Sequence, residues 1–277
     1  MTIPYRRVLT IAGSDSGGGA GIQADLKTIA ANGCYGMSVI TALTAQNTIG
    51  VTDVHPVPVD FVCKQMEAVL SDIGADAIKI GMLFSSDLIK GVAQQLQKYP
   101  VENIVLDPVM VAQSGDKLLV DEAVWALKHY LAPMATIITP NLPEASELLD
   151  YPITTLEMLE DGARKLCTLG CEYVLLKGGH LEADDSDDCL YSSLDDTVTF
   201  FPTKRIETKN NHGTGCTLSS AIASYIALGY SVKEAVAKAK QYIHGAIEAG
   251  TQYTLGHGHG PVHHFYRFFP ATAFKDK

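Results

Sequence analysis

The chain has 277 residues, 47% of them hydrophobic and 19% charged, with 24 Gly, 12 Pro and a formal net charge of −10. This composition is that of a globular protein and argues against disorder beyond the termini. The acidic balance excludes a basic footprint for nucleic acid or an anionic membrane surface, so an anionic ligand must be held by a local positive site.

Met1 to Arg7 is too short and polar to read as a signal peptide. No apolar run reaches the roughly 18 residues needed to span a bilayer, and the cytoplasm is the expected location. Six cysteines are scattered without a C-x-x-C pair, which argues against a zinc ribbon or dithiol site.

In chain order, Arg7 to Ala12 reads as a strand emptying into a glycine-rich loop, followed by a helix over Gly21 to Asn32. Val39 to Leu43 is a second strand, Phe61 to Ile73 a helix, Ala77 to Ile80 a strand, and Asp87 to Tyr99 a helix stopped by Pro100. A strand at Asn103 to Leu106, a helix at Asp121 to Leu131, a strand at Thr136 to Thr139 and a short helix at Glu144 to Leu149 follow. The capping-box spacing Thr154 to Glu157 opens a helix to Leu169, and Tyr173 to Lys177 is a strand. Leu190 to Ser192 and Val198 to Phe201 suggest a hairpin. Two helices close the chain: Thr214 to Leu228, and one opened by the box Ser231 to Glu234. Such alternation predicts an α/β fold, a mostly parallel sheet flanked by helices on both faces. No composition shift marks a boundary, so residues 1–277 are read as one domain.

Ligands of such sheets sit on loops beyond the carboxyl ends of the strands. The first loop, Gly13 to Gly21, is neither a Walker A sequence nor G-x-G-x-x-G; its glycines permit positive φ and close backbone approach. Asn210 to Cys216 (NNHGTGC) is more telling. Gly213, Thr214, Gly215 and Cys216 open a helix whose free amides form an anion site. On spacing alone the tract reads equally as a glycine-rich turn with a buried cysteine. A thiol at that helix end is expected to have a depressed pKa.

Asp107 and Glu144 sit at strand-end loops and could serve Mg²⁺ bound to phosphate; Lys177 could pair with a phosphate. Singly each is a common strand-end residue, and together they favour phosphoryl transfer. His257, His259, His263 and His264 read as a loop without metal. The segments near Gly115 and from Glu182 to Asp188 could supply a lid.

Several stretches resemble the bacterial hydroxymethylpyrimidine/phosphomethylpyrimidine kinases of thiamine biosynthesis, in the ribokinase superfamily. They are Thr10 to Lys27 (TIAGSDSGGGAGIQADLK), Val39 to Thr48 (VITALTAQNT), Lys79 to Leu83 (KIGML) and Leu106 to Met110 (LDPVM). Ile138 to Ala145 (ITPNLPEA), Leu176 to His180 (LKGGH), Thr208 to Thr217 (TKNNHGTGCT) and Gly260 to Phe265 (GPVHHF) complete the set, in order and along almost the whole chain.

The resemblance implies a three-layer ribokinase-like fold, commonly dimeric, with ATP and Mg²⁺ as cofactors. It places the pyrimidine against Gly13, Asp25, Gln46, Met82, Val109 and Cys216. The Gln46 amide could pair with an aminopyrimidine edge as donor and acceptor. The nucleotide is expected over Asn141, Glu144, Lys177 and Lys209, the metal near Asp107 or Glu144, and the anion hole at Gly213 to Cys216. Two reactions are implied: phosphorylation of the hydroxymethyl group, helped by a base such as the Cys216 thiolate, then of the monophosphate, which is already ionised. A pyridoxal/pyridoxine kinase is the alternative enzyme; related enzymes of that kind tend to carry an apolar residue where this chain has Gln46. A ligand-binding relative without activity is the alternative of a different class.

Overall fold

The computed structural model describes residues 3–110, 121–155, 157–179 and 187–269. Gly115 and residues 182–186 of the segment Glu182 to Asp188, expected as lid material, lie outside them, while Asp188 is described in a strand. Among the described residues one sheet is formed by β1 (Arg7–Asp15), β2 (Tyr35–Gln46), β3 (Val51–Pro56), β4 (Ala77–Ile80), β5 (Ile104–Leu106), β6 (Ile137–Ile138), β7 (Tyr173–Lys177), β8 (Asp188–Ser192) and β9 (Thr197–Phe201). The order is β3-β2-β1-β4-β5-β6-β7-β8-β9. Strands β2 through β7 in that order run parallel, and β3, β8 and β9 add antiparallel edges.

Successive strand residues point to opposite faces, and helices cover both. Val8, Ala77, Val105, Ile137 and Leu175 pack against α1 (Gly21–Ala31), α7 (Thr214–Ala227) and α8 (Val232–Gly250). Leu9, Ile78, Leu106, Ile138 and Leu176 pack against α2 (Val59–Asp72), α3 (Ser86–Lys98), α4 (Asp121–Ala126), α5 (Leu142–Leu149) and α6 (Glu157–Cys167). Strands buried on both faces read as continuous apolar runs, which is why the sequence exposes them.

Helix α7 is buried at every position from Thr217 to Ala227. Its small residues, Ser219, Ser220, Ala221, Ala223 and Ser224, let it lie close between the sheet and its neighbours. The Ser231–Glu234 capping box opens α8 as expected.

Strand boundaries differ from the sequence reading where polar residues intervene. Strand β3 was not anticipated: its residues are mostly exposed at an edge and lack an apolar face. The helix expected over 121–131 turns into a π-helical stretch at Leu127–Leu131. Thr136 stays outside β6 because its hydroxyl accepts the Ile104 N–H. No described helix is long and apolar enough to cross a membrane.

At the carboxyl end of β1 the register with β2 shifts between Ala12 and Ser14. That irregularity releases Gly13 from the ladder and starts the glycine loop.

Candidate active site

A cavity of about 870 Å³ lies beyond the carboxyl ends of the parallel strands. Its walls include Gly13, Gln46, Met82, Asp107, Val109, Asn141, Glu144, Lys177 and Gly213 to Cys216. Two of the expected residues are not part of the wall. Asp25 is fully buried beneath it, and Lys209 is exposed outside it, while Lys204 and Lys240 line the cavity.

At one end, α7 begins at Gly213 with φ 79° and no side-chain cap. A Cβ at Gly213 would lie 1.9 Å from the Gly19 carbonyl oxygen, so only glycine lets the two loops meet here. The N–H groups of Gly215 and Cys216, in the first turn, have no earlier helical carbonyl to bond. A Cβ on Gly215 would stand 3.7 Å from Lys177 Nζ and 3.9 Å from Asp107 Oδ2. The free amides, the ammonium and the carboxylate therefore converge.

Lys177 Nζ donates to Asp107 Oδ1 at 3.2 Å, and Thr139 and Ser219 donate to the same carboxylate. Burial alone would raise the Asp107 carboxyl; Lys177, Lys79 and Ser219 outweigh it and hold the group below the ordinary range. Burial likewise opposes the charge on Lys177, and Asp107 and Glu144 more than offset it.

Glu144 and Asn141 form a capping box at the start of α5: Glu144 N–H donates to Asn141 Oδ1, and Asn141 N–H donates to Glu144 Oε2. Burial pushes the Glu144 carboxyl up to about 7, offset in part by Lys177 and reinforced by Asp107. The Asn141 side-chain oxygen is thus engaged in holding α5. The carboxylates of Asp107 and Glu144 are hard oxygen donors. Among the described residues no group of three or more His, Cys, Asp or Glu could enclose a metal ion. This set fits Mg²⁺ held largely by waters and phosphate oxygens, rather than a cage made of protein.

On another part of the wall, Met82 packs on Gly13: a Cβ there would meet Met82 Cε at 2.6 Å. Gln46 stands beside Thr44 and His212. Asp15, which sequence reasoning passed over, is buried and accepts the N–H groups of Gly17, Gly19 and Ala20. Burial would raise its carboxyl, but His212 and the Ala20 and Gly17 amides hold it down. His212 lay within the quoted tract, yet nothing in its spacing announces Asp15 as its partner.

Behind the wall, Asp25 pairs with Lys79 and accepts the hydroxyls of Thr10 and Ser220. The expected low pKa of Cys216 is overturned. Burial pushes the thiol up to about 11; Asp25 and Asp107 reinforce this, and the Lys79 ammonium only partly opposes it. Exclusion from water and two nearby carboxylates outweigh the helix terminus. The thiol is therefore protonated near neutral pH.

Three of the four clustered histidines contact separate partners. His259 Nδ1 contacts Asn211 Oδ1, His263 Nε2 contacts the Phe269 carbonyl, and buried His264 Nε2 contacts Thr217 Oγ1.

The phosphomethylpyrimidine kinase family model matches residues 15–263. The chain is 50% identical over 263 residues to the hydroxymethylpyrimidine/phosphomethylpyrimidine kinase of Escherichia coli, covering 94% of this chain and 98% of that protein. It is 52% identical over 263 residues to the thiamine biosynthesis bifunctional protein ThiED of Geobacter sulfurreducens, covering 94% of this chain and 52% of that one. The chain thus spans about half the length of the Geobacter relative. The solved ADP complex of Bacillus subtilis pyridoxal kinase has a TM-score of 0.88 at 38% identity, covering 96% of this chain and all of that one.

Proposed function

The chain belongs to the phosphomethylpyrimidine kinase family, and we propose on that footing that its 277 residues form one ATP-dependent kinase domain acting in thiamine biosynthesis. It phosphorylates 4-amino-5-hydroxymethyl-2-methylpyrimidine to the monophosphate and then to the diphosphate. The observation that carries this reading is the convergence of Lys177, Asp107 and the α7 amides in a cavity whose wall also carries Gln46, beside His212.

The pyrimidine lies between Gly13, Gln46, Met82 and Val109. ATP extends from the α7 amides along the wall of Lys177, Lys204 and Lys240, with Ile206, Ile243 and Ile247 as an apolar surface for the base. In the transfer, the substrate oxygen forms a bond to the γ-phosphorus while the bond to the β,γ-bridging oxygen breaks. The Gly215 and Cys216 amides and Lys177 receive the charge spread over the phosphoryl oxygens. Bound near Asp107 and Glu144, Mg²⁺ would supply further neutralisation of the phosphates.

The transition state is loose, so the hydroxymethyl proton can leave late, to an oxygen of the transferred phosphoryl group. A protonated Cys216 thiol suits that: its contribution is its amide and the shape of the hole. Asp25 acts from behind the wall, through Lys79. A homodimer belongs to the same proposal, with exposed Leu43 and Ile49 at the β2–β3 edge as apolar groups for it; analytical ultracentrifugation tests it.

Pyridoxal kinase is the second reading, supported by the likeness to the Bacillus structure. The polar amide of Gln46 favours the aminopyrimidine. Incubation with ATP, Mg²⁺ and hydroxymethylpyrimidine, followed by phosphorus NMR, tests the main reading. Monophosphate and then diphosphate are expected; no ADP release at any substrate concentration would leave a ligand-binding protein instead.

A further inference from the structure

The amide of Gln46 stands between two groups whose hydrogens are already assigned. Asp15 accepts three backbone N–H groups, at 2.8 Å from Gly17, 3.0 Å from Gly19 and 2.8 Å from Ala20, and so acts as a pure acceptor. His212 Nε2 lies 2.9 Å from Asp15 Oδ2, which requires that nitrogen to carry a hydrogen. On the other flank, the Thr44 hydroxyl donates to the Ser14 carbonyl at 3.0 Å and leaves a lone pair toward Gln46.

With Gln46 Nε2 at 3.3 Å from His212 Nε2 and Oε1 at 3.1 Å from Thr44 Oγ1, two N–H groups face each other and one hydroxyl hydrogen serves two oxygens. A 180° turn of the amide exchanges its oxygen and nitrogen and removes the opposed N–H groups. Oε1 then shares the one His212 Nε2 hydrogen with Asp15 Oδ2, and Nε2 donates to Thr44. The imidazole has little freedom to follow a different arrangement, since a Cβ at Gly19 would lie 2.3 Å from its Cδ2.

We infer that the Asp15–His212 pair fixes the direction of the Gln46 amide, oxygen toward His212 and nitrogen toward Thr44, and thereby sets which ring edge the cavity accepts. The remaining lone pair and N–H of the amide present an acceptor on the His212 side and a donor on the Thr44 side. The matching ring offers an exocyclic amino group toward His212 and an unprotonated ring nitrogen toward Thr44. A 4-oxo pyrimidine, with N–H and C=O in the reverse order, sets donor against donor and acceptor against acceptor. His212 and Asp15 are positioning residues, and their role rests on the proposed reading of Gln46 as the substrate-facing amide.

The test compares kcat/KM for hydroxymethylpyrimidine and its 4-oxo analogue in the wild type and in His212→Phe, which keeps a ring against Gly19 and removes the N–H. A wild-type preference of about 100-fold for the amino compound is expected, falling at least about 10-fold in the variant with KM for ATP unchanged. An unchanged preference in a less active variant would overturn the inference. Nitrogen-15 NMR of labelled histidine gives a second reading on the wild type: Nε2 of His212 is expected to be protonated, and an unprotonated Nε2 would overturn the assignment. Absence of turnover of the amino compound by wild type would instead overturn the proposed function itself.

Discussion

Lys79 Nζ lies 3.0 Å from both carboxylate oxygens of Asp25, and neither side chain reaches solvent. Ser220 and Thr10 donate the remaining hydrogen bonds to Asp25. Burial disfavours the ammonium, yet Asp25, Cys216 and Asp107 together raise its pKa above the ordinary lysine value. The pair joins β4 to α1 immediately behind the anion hole.

Removing one partner leaves the other as an uncompensated buried charge. Lys79→Met is expected to destabilise by about 3–5 kcal/mol in urea unfolding, and Lys79→Met/Asp25→Asn to recover part of that loss. Additive losses in the double variant would show that the pair is not coupled.

Two glycines, Gly213 at the N-cap of α7 and Gly215 two residues on in its first turn, should separate fold from chemistry. Gly213→Ala meets positive φ and the Gly19 carbonyl, and a marked fall in Tm is expected along with lost activity. Gly215→Ala makes only ordinary contacts and should leave Tm close to wild type. Its methyl group stands beside Lys177 and Asp107, however, and kcat/KM for ATP is expected to fall about 10-fold or more. Unaltered ATP kinetics in Gly215→Ala would remove the phosphates from this helix end.

His264 supplies a pH dependence. Burial, with Lys27 and His263 adding, pushes its imidazole down to about 3, below the unfolded value of about 6.5. The unfolded chain therefore takes up a proton that the folded chain refuses. This contribution to stability is complete above about pH 6.5 and is lost as pH falls toward 3, by up to about 1.4 kcal/mol per unit. His264→Gln should show a smaller fall in Tm than wild type between about pH 7.5 and about pH 5; identical falls would assign the acid sensitivity to other groups.

Cys216 offers a kinetic contrast. A thiolate base would serve the alcohol step and be superfluous for the monophosphate step. With the thiol pushed up to about 11, Cys216→Ala is expected to lower kcat for both steps alike, within about three-fold of each other. A loss confined to the alcohol step would restore the base. Peptide-level mass spectrometry should also find Cys216 alkylated by iodoacetamide only as pH approaches that value.

Much of this architecture was legible because the chemistry is local. Apolar runs such as Ile104 to Leu106 mark strands buried on both faces, and the Ser231–Glu234 box marks a helix start. The tract Gly213 to Cys216 was equally visible, since glycine at a helix opening has a backbone reason to be there. What escaped depends on contacts between distant segments. Lys79 reads as a polar interruption of a strand until α1 brings Asp25 beneath it. Lys240 reads as a helix-surface lysine until it meets Asp188 at 2.7 Å. Lys209 lies inside a quoted motif and is nonetheless exposed, while the pKa of Cys216 follows from burial and neighbouring carboxylates that its own segment does not reveal.

The most direct measurement is kcat/KM for hydroxymethylpyrimidine and for pyridoxal, taken with one preparation by coupled ADP release. The amide of Gln46 should make hydroxymethylpyrimidine the better substrate by at least about 10-fold, and pyridoxal turned over equally well or better would contradict an aminopyrimidine kinase.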